Sequence, residues 1–84
     1  MLLSVNETKF GYILYSSSEK YVFNRSKISN SKVDYYLKQV SPTEIYISGM
    51  FYDKQKNIYK GKTKNGTKIN LSIDGNLCDL KFIQ

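Results

Sequence analysis

From Thr43 onward apolar and polar side chains alternate, the two-residue period of a strand with one buried face. In the first such segment Ile45, Ile47 and Phe51 share one face, while Tyr46, Ser48, Met50 and Tyr52 share the other. A polar loop from Asp53 to Asn57 leads to a strand from Ile58 to Thr63, which returns as Thr67 to Ile73. Asp74-Gly75 then turns the chain into Asn76 to Ile83. Upstream, Lys9 to Tyr15 and Lys20 to Asn24 are rich in aromatic and branched residues. The polar run Ser16-Ser17-Ser18-Glu19 separates them, so together they read as an N-terminal hairpin.

Between hairpin and meander the period changes. Val33, Tyr36, Leu37 and Val40 stand at i, i+3, i+4 and i+7, a single apolar stripe that predicts a short helix over about 32–40. Ser31 can cap its start, Asp34 suits its positive end, and Pro42 lies just beyond it as a stop. The predicted fold is α+β and mostly β. It consists of the N-terminal hairpin and one helix packed on a four-stranded antiparallel meander over about 43–83, in a single domain spanning 1–84. The alternative is a small all-β barrel in which 32–40 forms a strand or an irregular crossover.

Register follows from the same pattern. A three-residue loop, Lys64-Asn65-Gly66, pairs Lys62 with Lys68, Lys60 with Asn70 and Tyr59 with Leu71, and puts Gly66 where a positive φ is needed. A two-residue loop would instead mix lysines into the apolar face. An Asp74-Gly75 loop pairs Leu71 with Cys78 and Ile69 with Leu80. That leaves Ile69, Leu71, Ile73, Cys78, Leu80 and Phe82 on one core-facing surface. A five-residue Asp53–Asn57 loop sets Gly49 near Gly61, leaving room there for a close approach.

Charge sharpens this picture. Six lysines, Lys54, Lys56, Lys60, Lys62, Lys64 and Lys68, fall in one stretch without an acid; the remaining seven basic residues balance the seven acids, so the net +6 belongs to one hairpin. In the expected register Lys60, Lys62, Lys68 and Lys81 project from one side of the sheet with Lys64 at the hairpin tip. Asn70 lies among them, and Tyr46, Met50 and Tyr52 flank them. Lysines beside exposed rings are how sheets hold single-stranded nucleic acid. Lysines on a wet sheet face are also ordinary and discourage edge-to-edge aggregation. The eight tyrosines exceed what so small a core can bury with satisfied hydroxyls, and tyrosine is favoured at interfaces.

The chemistry available to this chain is narrow. It has no His, so the commonest metal ligand and general base is missing. Cys78 falls on the predicted core face, the acids are scattered, and the glycines are isolated, so a nucleophile, a carboxylate pair and a phosphate-binding loop are each unsupported. No metal or cofactor is expected. The lone cysteine suits a reducing, cytoplasmic setting, and no run approaches the ~20 apolar residues of a membrane span.

These features predict a small non-catalytic binding protein. Its basic, tyrosine-flanked face, formed by Lys60, Lys62, Lys64, Lys68, Lys81, Tyr46 and Tyr52, would engage RNA, single-stranded DNA or a nucleic-acid-handling complex. The alternative is an inhibitor or adaptor encoded by a mobile element such as a phage, anti-CRISPR-like in type, that presents the same face to an acidic surface on a host protein. The last strand, Leu77 to Ile83, is expected to leave an open edge through which a second copy could pair.

Overall fold

Eight antiparallel strands, each paired with the next in sequence and the last with the first, close into a barrel in the computed structural model, which describes residues 1–26 and 33–84. They are β1 (Leu2–Thr8), β2 (Gly11–Tyr15), β3 (Lys20–Arg25), β4 (Tyr35–Ser41), β5 (Ile45–Asp53), β6 (Ile58–Lys62), β7 (Lys68–Asp74) and β8 (Leu77–Ile83). The N-terminal hairpin is therefore present as β2 and β3, with β1 added before it, and the meander is β5 to β8.

The predicted helix is absent. Tyr35–Ser41 is a strand, paired with β3 on one side and β5 on the other. Alternation replaces the stripe that suggested a helix: of its residues Leu37 is fully buried, and the neighbouring inward position is Tyr35, which stacks on Phe23 with ring centroids 4.6 Å apart. Two aromatic residues and a terminal Val favour a pleated strand, and a helix of nine residues has little stability of its own. As a strand, this segment also pairs the open edges of the hairpin and the meander, which a helix lying across the sheet would leave exposed. The expected roles of the two tyrosines are exchanged. Tyr35, which lies off the helical stripe, packs against the core, and Tyr36, which belongs to that stripe, lies toward Tyr46 at 6.4 Å. The proposed cap Ser31 lies outside the described residues. The small all-β barrel held as the alternative fits this architecture.

Closure also removes the open edge expected on the last strand. Leu77, Cys78 and Asp79 pair with Ser4, Leu3 and Leu2, and the Leu80 amide donates to the Met1 carbonyl at 2.9 Å. Over that stretch β8 has a neighbour on both sides, so dimerisation by extending the sheet there is not available.

The β6–β7 register is the one argued from sequence: Tyr59 faces Leu71, Lys60 faces Asn70, and Lys62 faces Lys68, with Gly66 at φ 91°. In the β7–β8 hairpin the loop is Gly75-Asn76 rather than Asp74-Gly75, because Gly75 takes the positive φ (61°) at the first loop position. Leu71 therefore faces Leu80, and Ile69 faces Phe82. This is a two-residue slip, so every side chain keeps its face.

The β5–β6 hairpin differs by a single residue, and that matters more. Asp53 pairs with Ile58, which leaves a four-residue loop and sets Met50, not Gly49, against Gly61. Asp53 holds this turn from inside the strand. Its carboxylate accepts the Gln55 and Lys56 amides at 3.0 and 3.3 Å, and its carbonyl accepts the Asn57 amide at 2.8 Å. A one-residue slip reverses a strand's faces, so Met50 is buried and Phe51 is exposed. The space at Gly61 is filled by Met50 itself: a Cβ there would meet Met50 Sδ at 2.3 Å and the Gly49 carbonyl oxygen at 2.6 Å. Gly61→Ala is accordingly expected to destabilise the barrel by about 1–3 kcal/mol through overpacking, measurable by urea denaturation.

Inward-facing Leu3, Leu14, Phe23, Leu37, Met50, Ile69, Leu71 and Leu80 fill the interior, with Tyr21 and Cys78 beside them. The outside carries the lysines, the reverse of a lipid-facing barrel. Among the described residues no helix is long and apolar enough to cross a membrane. Burial and the neighbouring ring of Tyr35 push the Tyr59 phenol up to about 12, and burial with the Glu19 carboxylate raises Tyr21 as well. The unfolded chain ionises its phenols near pH 10 while the folded barrel keeps these protons. Their contribution to stability is thus whole below about pH 10 and lost as the pH climbs toward 12. Denaturation at pH 8 and 11 is expected to show that loss, and Tyr59→Phe to reduce it.

Candidate binding surface

With its interior filled by side chains, this barrel has only its outer surface and its ends to offer a partner. Alternation fixes which residues of the basic hairpin face outward. Tyr59 and Gly61 point to the core, so Lys60 and Lys62 point away from it; Ile69 and Leu71 do the same for Lys68 and Asn70. Cross-strand pairing then aligns two outward rows. One runs Phe51, Lys60, Asn70, Lys81 from β5 to β8, and the other runs Lys62, Lys68, Ile83. With strands about 4.8 Å apart, Lys60 and Lys81 lie roughly 10 Å from each other across the sheet.

Carboxylates reach only the far end of this face. Lys60 approaches Asp53 at 3.5 Å and Lys81 approaches Asp79 at 3.6 Å, both near the solvent, where such pairs are weak. The Lys56 amide, foremost, and the Lys60 ammonium help hold the Asp53 carboxyl below its ordinary range. Lys62, Lys64 and Lys68 form no ion pair among the described residues. Lys62 and Lys68 moreover sit directly opposite each other, an arrangement that is unfavourable unless an anion bridges them.

Five of the seven residues expected at the site are thus gathered on one side: Lys60, Lys62, Lys68 and Lys81 on the sheet, with Lys64 in the adjoining loop. The two tyrosines are elsewhere. Tyr52 pairs with Tyr59 on the inward side, its ring 5.0 Å from that of Tyr59 and its hydroxyl bonded to Asn57. Tyr46 pairs with Lys38 beyond a β-bulge and projects beside Tyr36. Met50, also expected to flank the lysines, is in the core. The ring that does flank them is Phe51, 49% exposed and paired with Lys60. Its signal in the sequence was the Asp53 turn: starting the β5–β6 loop one residue later, after Asp53, would have turned Phe51 outward.

The end of the barrel reached by the Lys64 loop holds a second feature. An open cavity of about 850 Å³ has Tyr21 in its wall, Ile45, Tyr46 and Phe82 as exposed apolar lining, and Lys62 and Lys64 on its rim. Among the described residues no Asp or Glu side chain lines it.

Cys78 is buried, and burial pushes its thiol up to about 11. It is expected to react with a disulfide reagent at pH 8 only after denaturation, which a thiol titration with and without guanidinium would show.

No known protein family, curated protein or solved structure matches this chain.

Proposed function

We propose that the outer face of β6, β7 and β8 binds single-stranded nucleic acid, with lysines holding the phosphate backbone and Phe51 offering a ring on which a base stacks. The observation that carries this reading is the facing pair Lys62 and Lys68, continued by Lys64, with no carboxylate to neutralise them among the described residues. A polyanion laid along the hairpin would relieve that repulsion, and counterion release would drive its binding. Phe51, beside Lys60, supplies the sequence-tolerant stacking that single strands offer and duplexes withhold. No residue in this arrangement needs to act as a nucleophile or base, so the role is binding.

Fluorescence anisotropy with a labelled random-sequence single strand tests it. If Lys62, Lys64 and Lys68 each displace a counterion, log K should fall with log salt at a slope of about −2, or about twentyfold between 50 and 200 mM. Absence of measurable affinity at low salt, or affinity indifferent to salt, would discard the reading.

A further inference from the structure

We infer that the cavity at the Lys64 end of the barrel is a base-binding pocket, which receives one unstacked nucleobase from the strand held on the lysine face; the inference rests on that reading and adds a second site to it. Lys62 belongs to both surfaces. It faces Lys68 on the outside and also borders the cavity, so a strand tracking the lysines passes the rim. The volume of about 850 Å³ is that of a small-molecule site and ample for a base.

The lining suits a base in two ways. Tyr46 and Phe82, 61% and 40% exposed, offer ring faces next to Ile45. The carboxamides around them are each half used. Gln39 Nε2 donates to the Ser41 carbonyl at 3.1 Å and Gln84 Nε2 to Thr67 Oγ1 at 3.0 Å, while Asn65 Oδ1 accepts from the Thr63 and Thr67 hydroxyls. Among the described residues this leaves two amide oxygens to accept and one amide NH2 to donate, the mixture that a base edge complements. The Ser48 hydroxyl is spent on the backbone, donating its one proton to the Gly49 or the Lys62 carbonyl and accepting from the Lys62 amide. The rim cations are placed for the phosphates on either side of the inserted base.

The test compares a fluorescein-labelled decathymidylate with a decamer of the same backbone carrying abasic sites, against wild type, Tyr46→Ala and Phe82→Ala, with thermal melts to confirm folding. Tyr46 is exposed enough that its removal should leave the barrel intact, so it decides the matter if Phe82→Ala does not fold. Wild type is expected to prefer the thymidylate by at least about tenfold, since stacking on Phe51 and in the pocket each contributes about fivefold at the low end. Tyr46→Ala should cut that preference severalfold, to what stacking on Phe51 alone sustains, without changing affinity for the abasic strand. A preference that Tyr46→Ala leaves unchanged would overturn the pocket and leave Phe51 and the phosphate-binding face standing; equal affinity for both strands would overturn the pocket and the Phe51 stacking together and leave only phosphate contacts. No binding of either strand would overturn both. If an acidic peptide with a central Phe shifts the NMR signals of Ile45 and Tyr46 and the thymidylate does not, the cavity accepts protein, and the base assignment is wrong.

Discussion

Reversing charge at Lys60, Lys62 and Lys68 together is expected to lower affinity for a single-stranded oligonucleotide at least a hundredfold at 100 mM salt, with the fold intact. The size follows from position. Lys62 and Lys68 face each other across the β6–β7 pair, and Lys60 is the next outward residue on the same strand. Three glutamates there would replace the phosphate-facing side of the hairpin by a repulsive one and remove two of the three counterion-releasing contacts, with a third negative charge beside them at position 60. All three side chains point away from the core, so the substitutions leave its packing alone, and they convert the Lys62–Lys68 repulsion into another of the same kind. Reversal of Lys20 on β3 or Lys38 on β4 is the control. Both lie outside the two aligned rows, and Lys38 already pairs with Glu44 at 3.3 Å. Each should change affinity by no more than the modest effect of two units of net charge. Anisotropy titrations of the three proteins read this directly. A triple variant, lower by six charge units, that binds like a control lower by two would show that neither this face nor net charge attracts the strand.

The second large effect is on stability. Phe23→Ala is expected to remove about 3–5 kcal/mol, enough to leave a barrel of this size largely unfolded at 37 °C. Phe23 is fully buried, and three tyrosines lean on it: Tyr35 stacked at 4.6 Å, Tyr59 edge-on at 4.8 Å and Tyr12 stacked at 6.2 Å. These rings come from β2, β4 and β6, so one truncation loosens contacts to three other strands and leaves a cavity that such different strands cannot close together. Phe23→Leu keeps most of the volume and should retain the fold at a smaller loss. Urea denaturation of both variants separates the packing effect from mere change of side chain. A Phe23→Ala protein within 1 kcal/mol of wild type would mean that the aromatic cluster is not what holds the barrel shut.

How far the sequence reveals this structure depends on the element. Strands with one wet face announce themselves by alternation, and in β6 and β7 the lysines made the alternation unmistakable; the Lys62–Lys68 register followed from keeping charge off the apolar side. Tyr35–Ser41 hid because a strand of mixed apolar residues can reproduce i, i+3, i+4, i+7 spacing by chance. The decisive influence is non-local: two open strand edges that need the same partner. Closure between β1 and β8 likewise depends on residues more than seventy positions apart, for which short-range pattern holds no signal. At the binding surface the lysines were legible and the aromatic partner was not. A one-residue error at the Asp53 turn placed Tyr52 outward and Phe51 inward, and only the carboxylate holding its own turn amides decides between them. The cavity at the Lys64 end could not be read at all, since Gln39, Ile45 and Phe82 come from strands that meet there only after the barrel closes.

Binding as proposed requires that an anionic strand lie along the outward rows of β6 to β8. Amide chemical-shift mapping with a single-stranded oligonucleotide tests it residue by residue. Shifts should concentrate on Phe51, Lys60, Lys62, Lys64, Lys68, Asn70 and Lys81 and fade with added salt. Shifts centred on β1 to β3, or none at saturating oligonucleotide, would contradict it.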